Sequence, residues 1–186
     1  MKRTISILVI VAMMLASLLA IVPVSAAEPE GTPVKNAKEF AAMDATGTYY
    51  LADDITISAP YADFKGTLDG NGHTIKFTGT VNDNNWNTIF RFEENATVNN
   101  LTIDISGATG AQRVISAKKS LTVDGLTILG AAKHGIVFGE GASAADLAET
   151  EIVITNSDLN GTRRAISDNE GGKDVKSVTI TNNTLK

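Results

Sequence analysis

Five basic or titratable side chains near the starts of three strand-like runs are the best candidates for ligand contact. They are Arg113, Lys133, His134, Arg163 and Arg164. Aligning the runs on Phe90, Val114, Ile136 and Ile166 places Thr88, Gln112, His134 and Arg164 in one column. Arg113 then lies one residue from that column, and Lys133 and Arg163 lie beside its end. Because arginine binds a carboxylate through two parallel N–H donors, this edge predicts contact with an anion or an acidic sugar.

An alternative for these side chains is a set of turn residues that pair with Asp146, Glu149 and Asp168. Trp86, the single tryptophan, is a sixth candidate and lies in a polar loop. Loops on a rigid scaffold often carry binding residues, and an exposed indole offers a flat platform to a sugar. The other interpretation is that Trp86 folds back as a cover over the protein's edge.

The sequence predicts no catalytic residue, no metal site and no cofactor. The turn Asp69-Gly70-Asn71-Gly72 lacks the acidic spacing and the terminal Glu of a calcium loop. His73 beside it has no His, Cys or carboxylate partner at metal-ligand spacing. The other carboxylates read as solvated turns and strand faces of an acidic protein.

The element that must position these residues is a repeated phrase. Val98-Asn99-Asn100-Leu101-Thr102-Ile103 returns with variations at Val123, Ile154 and Ile180, at steps of 25, 31 and 26 residues. Such a period indicates a solenoid that stacks one unit on the next. The short alternating runs of Thr, Ile and Val predict an all-β chain of parallel strands. We expect about 5–6 coils, with equivalent residues as neighbours in adjacent coils.

Two inward columns follow from this alignment. One column contains Val98, Val123, Ile154 and Ile180, and the other contains Ile103, Ile128, Leu159 and Leu185. A turn column contains Asn100, Gly125, Asn156 and Asn182. Asn there is expected to adopt left-handed backbone angles and to hydrogen-bond to the next coil, whereas Gly125 keeps the angle and loses the bond.

The start of the chain indicates export. Lys2 and Arg3 precede an apolar run that closes on Val24-Ser25-Ala26, which predicts a signal peptide over residues 1–26. Residues 27–35 read as a polar linker. A helix over residues 36–43, with Asn36 as N-cap and Glu39 in the capping-box position, is expected to cover the first coil. The predicted domain spans residues 36–186, and its last coil shows no cap, which makes truncation or self-association through that coil an expectation.

Composition narrows the function classes. Without residues 1–26 the chain carries 14 Lys and Arg against 21 Asp and Glu, a net charge of −7, which argues against nucleic acid as a partner. No second apolar span follows the signal, so no membrane contact is expected after cleavage. The chain has no cysteine, so packing alone must hold it together.

The stretch from Gly47 to Ile57 and the run Phe64-Lys65-Gly66-Thr67-Leu68-Asp69-Gly70-Asn71-Gly72-His73-Thr74-Ile75 look like the opening coils of a known family. They resemble right-handed parallel β-helix proteins of the pectate-lyase-like superfamily, and the later Ile-Thr-Asn turns resemble that family's asparagine ladder. The resemblance implies a right-handed parallel β-helix from Gly47 to Lys186 with an N-terminal capping helix. These repeats encode the scaffold and leave the function open.

The resemblance also offers two kinds of catalysis. Lyases of this superfamily use Arg or Lys with Ca²⁺ held on clustered carboxylates, and polygalacturonase-like hydrolases use three aspartates, a Gly-His-Gly and an Arg-x-Lys. Lys133-His134-Gly135 matches one fragment of the hydrolase set, and the other parts are missing. We therefore expect a secreted or cell-surface scaffold that contacts a polysaccharide or glycan. The alternatives are a polysaccharide lyase or hydrolase, with Ca²⁺ only for the lyase, and a structural adhesin or stalk module.

Overall fold

The computed structural model describes residues 29–62, 64–81, 87–168 and 175–185. Within them the chain is mostly β, with parallel strand pairs and two short helices. The strands are β1 (Thr32–Val34), β2 (Thr46–Leu51), β3 (Ile55–Ile57), β4 (Tyr61–Ala62), β5 (Lys65–Asp69), β6 (Thr74–Phe77), β7 (Thr88–Phe92), β8 (Ala96–Asn99), β9 (Thr102–Asp104), β10 (Arg113–Ala117), β11 (Leu121–Asp124), β12 (Thr127–Leu129), β13 (Ala132–Phe138), β14 (Glu151–Thr155), β15 (Thr162–Asp168) and β16 (Ser177–Thr181). The helices are α1 (Ala37–Ala41) and α2 (Ala144–Glu149).

The strands form three sheets. The seven-stranded sheet has the order β1-β2-β5-β8-β11-β14-β16, the five-stranded sheet β15-β13-β10-β7-β4 and the four-stranded sheet β12-β9-β6-β3. From β2 to β13, successive strands enter the seven-, four- and five-stranded sheets in strict rotation. Each rotation therefore places equivalent positions beside those of the rotation before it. The predicted all-β class with parallel strands is confirmed.

The strand register confirms the first inward column. Val98 pairs with Val123, Val123 with Ile154, and Ile154 with Ile180. In the second column Ile103 pairs with Ile128, and Asp158 bridges Thr127 and Thr184 on either side, one residue before Leu159 and Leu185. Alternate residues of β8, β11 and β14 are buried because a pleated strand directs successive side chains to opposite faces, whereas all five residues of β16 are exposed.

The predicted column through Val114 is wrong by one residue. The structure pairs Ile115, and not Val114, with Phe90 and Ile136, and pairs Ile136 with Ile166. All five residues of β10 are buried, so the strand has no apolar–polar alternation from which a register can be read. Arg113 rather than Gln112 therefore stands in the column with Thr88, His134 and Arg164.

The predicted N-terminal helix is present as α1, with Asn36 as its N-cap. The Asn36 side chain accepts hydrogen bonds from the backbone N–H groups of Lys38 and Glu39. Glu39 reaches back to the N–H of Lys35, one residue before the position that a capping box uses. Phe40 is 2% exposed, and its ring centroid lies 4.8 Å from that of Tyr61 and 6.4 Å from that of Phe90. The helix thus buries an aromatic side chain against the β core.

Two elements were not predicted. Thr32–Val34, inside the segment read as a linker, forms β1 along the edge of the seven-stranded sheet and buries Val34. Its Pro33 fits an edge strand, where one side needs no N–H donor. Helix α2 interrupts the run read as one coil from Ile136 to Leu159, and Ser143 and Asp146 close its N-terminus as a capping box.

The turn column has the predicted left-handed angles. Asn100, Gly125, Asn156 and Asn182 have φ values of 46°, 71°, 52° and 56°. The hydrogen bonds run largely to Asp: Asn156 Nδ2 donates to Asp124 Oδ1 at 2.6 Å, and Asn100 Nδ2 to Asp69 Oδ1 at 3.3 Å. One Asn–Asn bond, from Asn182 to Asn156, is 3.4 Å long. The prediction is therefore confirmed for the backbone angle. The side-chain bonds differ from it, since they run to the preceding strand of the sheet rather than to the next, and mainly to Asp.

Candidate functional site

The starts of three neighbouring strands bring the predicted basic side chains together. Strands β10, β13 and β15 lie side by side in the five-stranded sheet, and their register pairs Arg113 with His134 and His134 with Arg164. Lys133 and Arg163 each precede a residue of this row. We call Arg113, Lys133, His134, Arg163 and Arg164 the basic cluster.

Arg113 forms the buried side of the basic cluster. It is 5% exposed, and its Nη1 donates to Oε2 of Glu140. The Ser116 hydroxyl donates to the same carboxylate oxygen at 2.8 Å. Glu140 is thus a partner that sequence reasoning missed, because stacking brings it to Arg113 across 27 residues. The only sequence signal was an acid between Gly139 and Gly141 directly after a buried strand.

His134 lies between Arg113 and Arg164 and is 8% exposed. Its Nδ1 is 2.8 Å from the Ser167 hydroxyl oxygen, and the tautomer decides which of the two donates. Burial lowers the pKa of His134 below 6.5, and the positive charges of Arg113, Arg164, Lys133 and Arg163 lower it further. The positive potential of these four cations thus adds to burial in lowering the pKa of the imidazole.

The remaining cations of the basic cluster face solvent. Lys133, Arg163 and Arg164 are exposed. Among the described residues, no carboxylate oxygen lies within 4.0 Å of their charged nitrogens. All three cations act electrostatically on His134, in a chain whose formal net charge is −5.

Two of the acids expected to pair with these cations have other surroundings. Asp146 accepts hydrogen bonds from the Ser143 hydroxyl and backbone N–H, which lower its pKa, and its Oδ1 lies 4.0 Å from Lys119 Nζ. Glu149 acts electrostatically on Lys176, whose pKa is raised chiefly by its hydrogen bond to Glu151. The pairing alternative therefore loses Asp146 and Glu149 as neighbours of the basic cluster.

Other candidate residues have structural surroundings or fall outside the description. Trp86 lies outside the described residues, and so do residues 1–28, which include the predicted signal peptide. His73 Nδ1 is 3.2 Å from Asp54 Oδ1, which also accepts from the Thr74 N–H at 2.8 Å. These two contacts, that of Thr74 first, lower the pKa of Asp54. The Asp54–His73 contact thus links the turn between β2 and β3 to the turn between β5 and β6.

Within the described ranges, no group of three or more His, Asp or Glu side chains is arranged to hold a metal ion. No helix in the described part of the chain has the length and apolarity needed to cross a membrane.

The last strands of two sheets leave apolar side chains in solvent. Ile180 and Leu185 are 42% and 47% exposed, whereas their neighbours Ile154 and Leu159 are fully buried. An open depression of about 540 Å³ lies between β15 and β16 and includes both exposed side chains together with Arg163. The basic cluster thus borders an apolar surface.

Comparison with known proteins does not identify a family for this chain. The chain matches no protein-family model, no curated protein and no solved structure.

Proposed function

We propose that this chain is a right-handed parallel β-helix of the pectate-lyase-like kind, with about 5–6 coils and α1 over its first coil. The rotation of strands among three parallel sheets and the columns of like residues support this proposal. The Asn turns at left-handed angles agree with it. We further propose that the protein is secreted or displayed on the cell surface, since residues 1–26 have the pattern of a signal peptide.

On this scaffold we place the binding of an acidic polysaccharide, without catalysis, at the basic cluster. One observation carries the proposal: Lys133, Arg163 and Arg164 are exposed and lie beyond 4.0 Å of any described carboxylate. Clustered cations of one sign raise the local concentration of anions even on an acidic protein. A uronate carboxylate is the ligand group that suits exposed Arg side chains.

The buried members of the basic cluster have supporting roles in this proposal. Glu140 holds the Arg113 guanidinium, so Arg113 positions its neighbours and adds positive potential without reaching the ligand. His134 lies at the base of the cluster, where a bound anion would offset the four cations that lower its pKa. Binding of an acidic sugar is therefore expected to raise the pKa of His134 and to strengthen as the pH falls.

Calorimetric titration with polygalacturonate tests the proposal. Arg163→Ala/Arg164→Ala should weaken binding about 10-fold, since two exposed charged contacts are together worth about 1.4 kcal/mol. The matched control is Lys38→Ala/Lys76→Ala, which removes the same charge from two exposed lysines outside the cluster. Equal losses in both double variants, or no binding by the unaltered protein, would reject the acidic-glycan site. Formation of unsaturated uronides in the same mixture with Ca²⁺ would instead favour the lyase alternative.

A further inference from the structure

A cleft lies among the strands β7 and β10 and the turn that follows β13. Its volume is about 180 Å³, and its lining is Arg91, Phe92, Glu93, Ser116, Lys118, Glu140 and Gly141. A side chain built at Gly141 would meet no atom within 4 Å, so the turn leaves the cleft open there. Sites for drug-sized molecules occupy roughly 300–1,000 Å³, so this cleft suits a single small ring. Its lining contains none of the exposed cations of the basic cluster.

Glu140 gives the cleft a hydrogen-bond acceptor in need of a donor. Its Oε2 accepts from Arg113 and from Ser116, whereas its Oε1 is buried and has no hydrogen-bond partner among the described residues. A buried carboxylate oxygen without a donor loses its water and gains nothing in return. Oε1 is closed to solvent in this structure, so the Glu140 side chain must turn toward the cleft before a hydroxyl group entering there supplies the missing hydrogen bond.

The lining contains side chains of both charge signs. Glu93 Oε1 is 2.9 Å from Arg91 Nε, and Glu93 Oε2 is 3.6 Å from Lys118 Nζ. The longer separation is not a hydrogen bond, so the ammonium of Lys118 has donors for a ligand. The lining contains two cations and two carboxylates, and Arg113 lies behind Glu140 as a further cation. The unpartnered Glu140 oxygen and the Lys118 ammonium together suit a ligand that both donates and accepts hydrogen bonds.

We propose that this cleft binds one ring of an uncharged sugar, with Glu140 Oε1 accepting from one hydroxyl and Lys118 Nζ donating to another. A pyranose carries neighbouring hydroxyls that are donors and acceptors at once, which matches the acceptor and the donor of the lining. The proposal stands independently of the acidic glycan at the basic cluster. If both sites are used, the protein binds a polysaccharide with charged and uncharged sugars.

Amide chemical shifts of the full chain, titrated with methyl β-D-galactopyranoside or methyl β-D-glucopyranoside, test this site. We expect saturable shifts at Lys118 and Gly141 with an affinity of about 1 mM. Lys118→Met should weaken binding about 10-fold, because one charge-assisted hydrogen bond is lost. Lys119→Met is the matched control: its side chain is 32% exposed against 34% for Lys118, but it pairs with Glu94 and lies outside the lining. It should leave the affinity unchanged.

A second variant tests the acceptor itself. In Glu140→Gln the amide oxygen stays with the donors Arg113 and Ser116, so an NH₂ group replaces Oε1. A sugar hydroxyl can then only accept at this position, the charge-assisted hydrogen bond to the carboxylate is lost, and sugar binding should weaken about 10-fold. Lys118→Met keeps the test valid if Glu140→Gln fails to fold. The absence of saturable shifts in the unaltered protein, or equal losses in Lys118→Met and Lys119→Met, would overturn the proposal.

The variant Arg163→Ala/Arg164→Ala separates this proposal from the preceding one. We expect it to retain the sugar-induced shifts at Lys118 and Gly141. Loss of those shifts would place the sugar at the basic cluster and reject the cleft. Failure of polygalacturonate binding together with intact sugar shifts would reject the acidic-glycan site alone.

Discussion

Substitution of Asn156 separates two contributions of the turn column to stability. Asn156 has a φ of 52°, and its Nδ2 donates to Asp124 Oδ1 at 2.6 Å. Asn156→Ala removes the side-chain bond and leaves an unfavourable backbone angle. Asn156→Gly removes the same bond but accepts the angle freely, as Gly125 already does in the same column with a φ of 71°.

The expected magnitudes follow from these two terms. A left-handed angle costs an ordinary L residue roughly 1–2 kcal/mol, and the hydrogen bond contributes about 1 kcal/mol. Asn156→Ala should therefore lower the free energy of unfolding by about 2 kcal/mol. For Asn156→Gly the loss of the bond and the greater entropy of the unfolded chain, together about 1.5–2 kcal/mol, are partly offset by relief of the angle. The net loss should be about 1 kcal/mol.

Urea unfolding followed by circular dichroism measures this difference. The midpoint should fall for both variants while the slope stays constant, and it should fall about twice as far for Asn156→Ala. Gly125→Ala is the companion variant, because it imposes the angular cost where no side-chain bond exists, together with a close approach of the new Cβ to Asn100 Oδ1 at 3.1 Å. Equal midpoints for Asn156→Ala and Asn156→Gly, with no loss in Gly125→Ala, would refute the role of the left-handed angle.

Three further predictions concern the core, the buried ion pair and pH. Ile154→Ala should lower the free energy of unfolding by about 3–4 kcal/mol, because the side chain is fully buried. Ile180 lies in the same column but is 42% exposed, so Ile180→Ala should lower it by about half as much, and equal urea midpoints would contradict the edge position of β16. Arg113→Ala should lower the free energy of unfolding by about 3 kcal/mol, because it leaves Glu140 without its cation. Arg113→Met/Glu140→Met should lower it by less than Arg113→Met and Glu140→Met do in sum, and additivity in urea unfolding would speak against the ion pair. Since the pKa of His134 is lowered in the folded protein, the unfolded chain binds the proton more tightly, so His134 should reduce stability as the pH falls through about 6.5. Thermal melts of His134→Asn should lose that part of the pH dependence, and an unchanged pH profile would exclude this role of His134.

The repeats made the inward columns predictable because like residues recur at like positions. Val98, Val123 and Ile154 each occupy a strand with alternating burial, and Ile180 continues their column in β16, whose five residues are all exposed. The same reasoning failed at β10, where both faces are buried and Val114 and Ile115 are equally apolar. At β10 the sequence offered no contrast between the two faces by which to choose Ile115 over Val114.

The candidate site was predicted in part. The gathering of basic side chains followed from aligning strand starts; the register pairs His134 with Arg164 as predicted, and places Arg113 beside His134 where Gln112 was expected. The Arg113–Glu140 pair could not be foreseen, since it depends on how far a turn after one strand reaches over the strand beside it. The helix α2 could have been found from Ser143 and Asp146, whose spacing fits a capping box.

The electrostatic account of the basic cluster is tested most directly by a nuclear magnetic resonance titration of the His134 imidazole. The account predicts a pKa below 6.5 in the free protein, a higher pKa in Arg163→Ala/Arg164→Ala, and a higher pKa in the unaltered protein when oligogalacturonate is added. An imidazole whose pKa responds neither to the loss of the two arginines nor to the oligogalacturonate would contradict an anion site beside it.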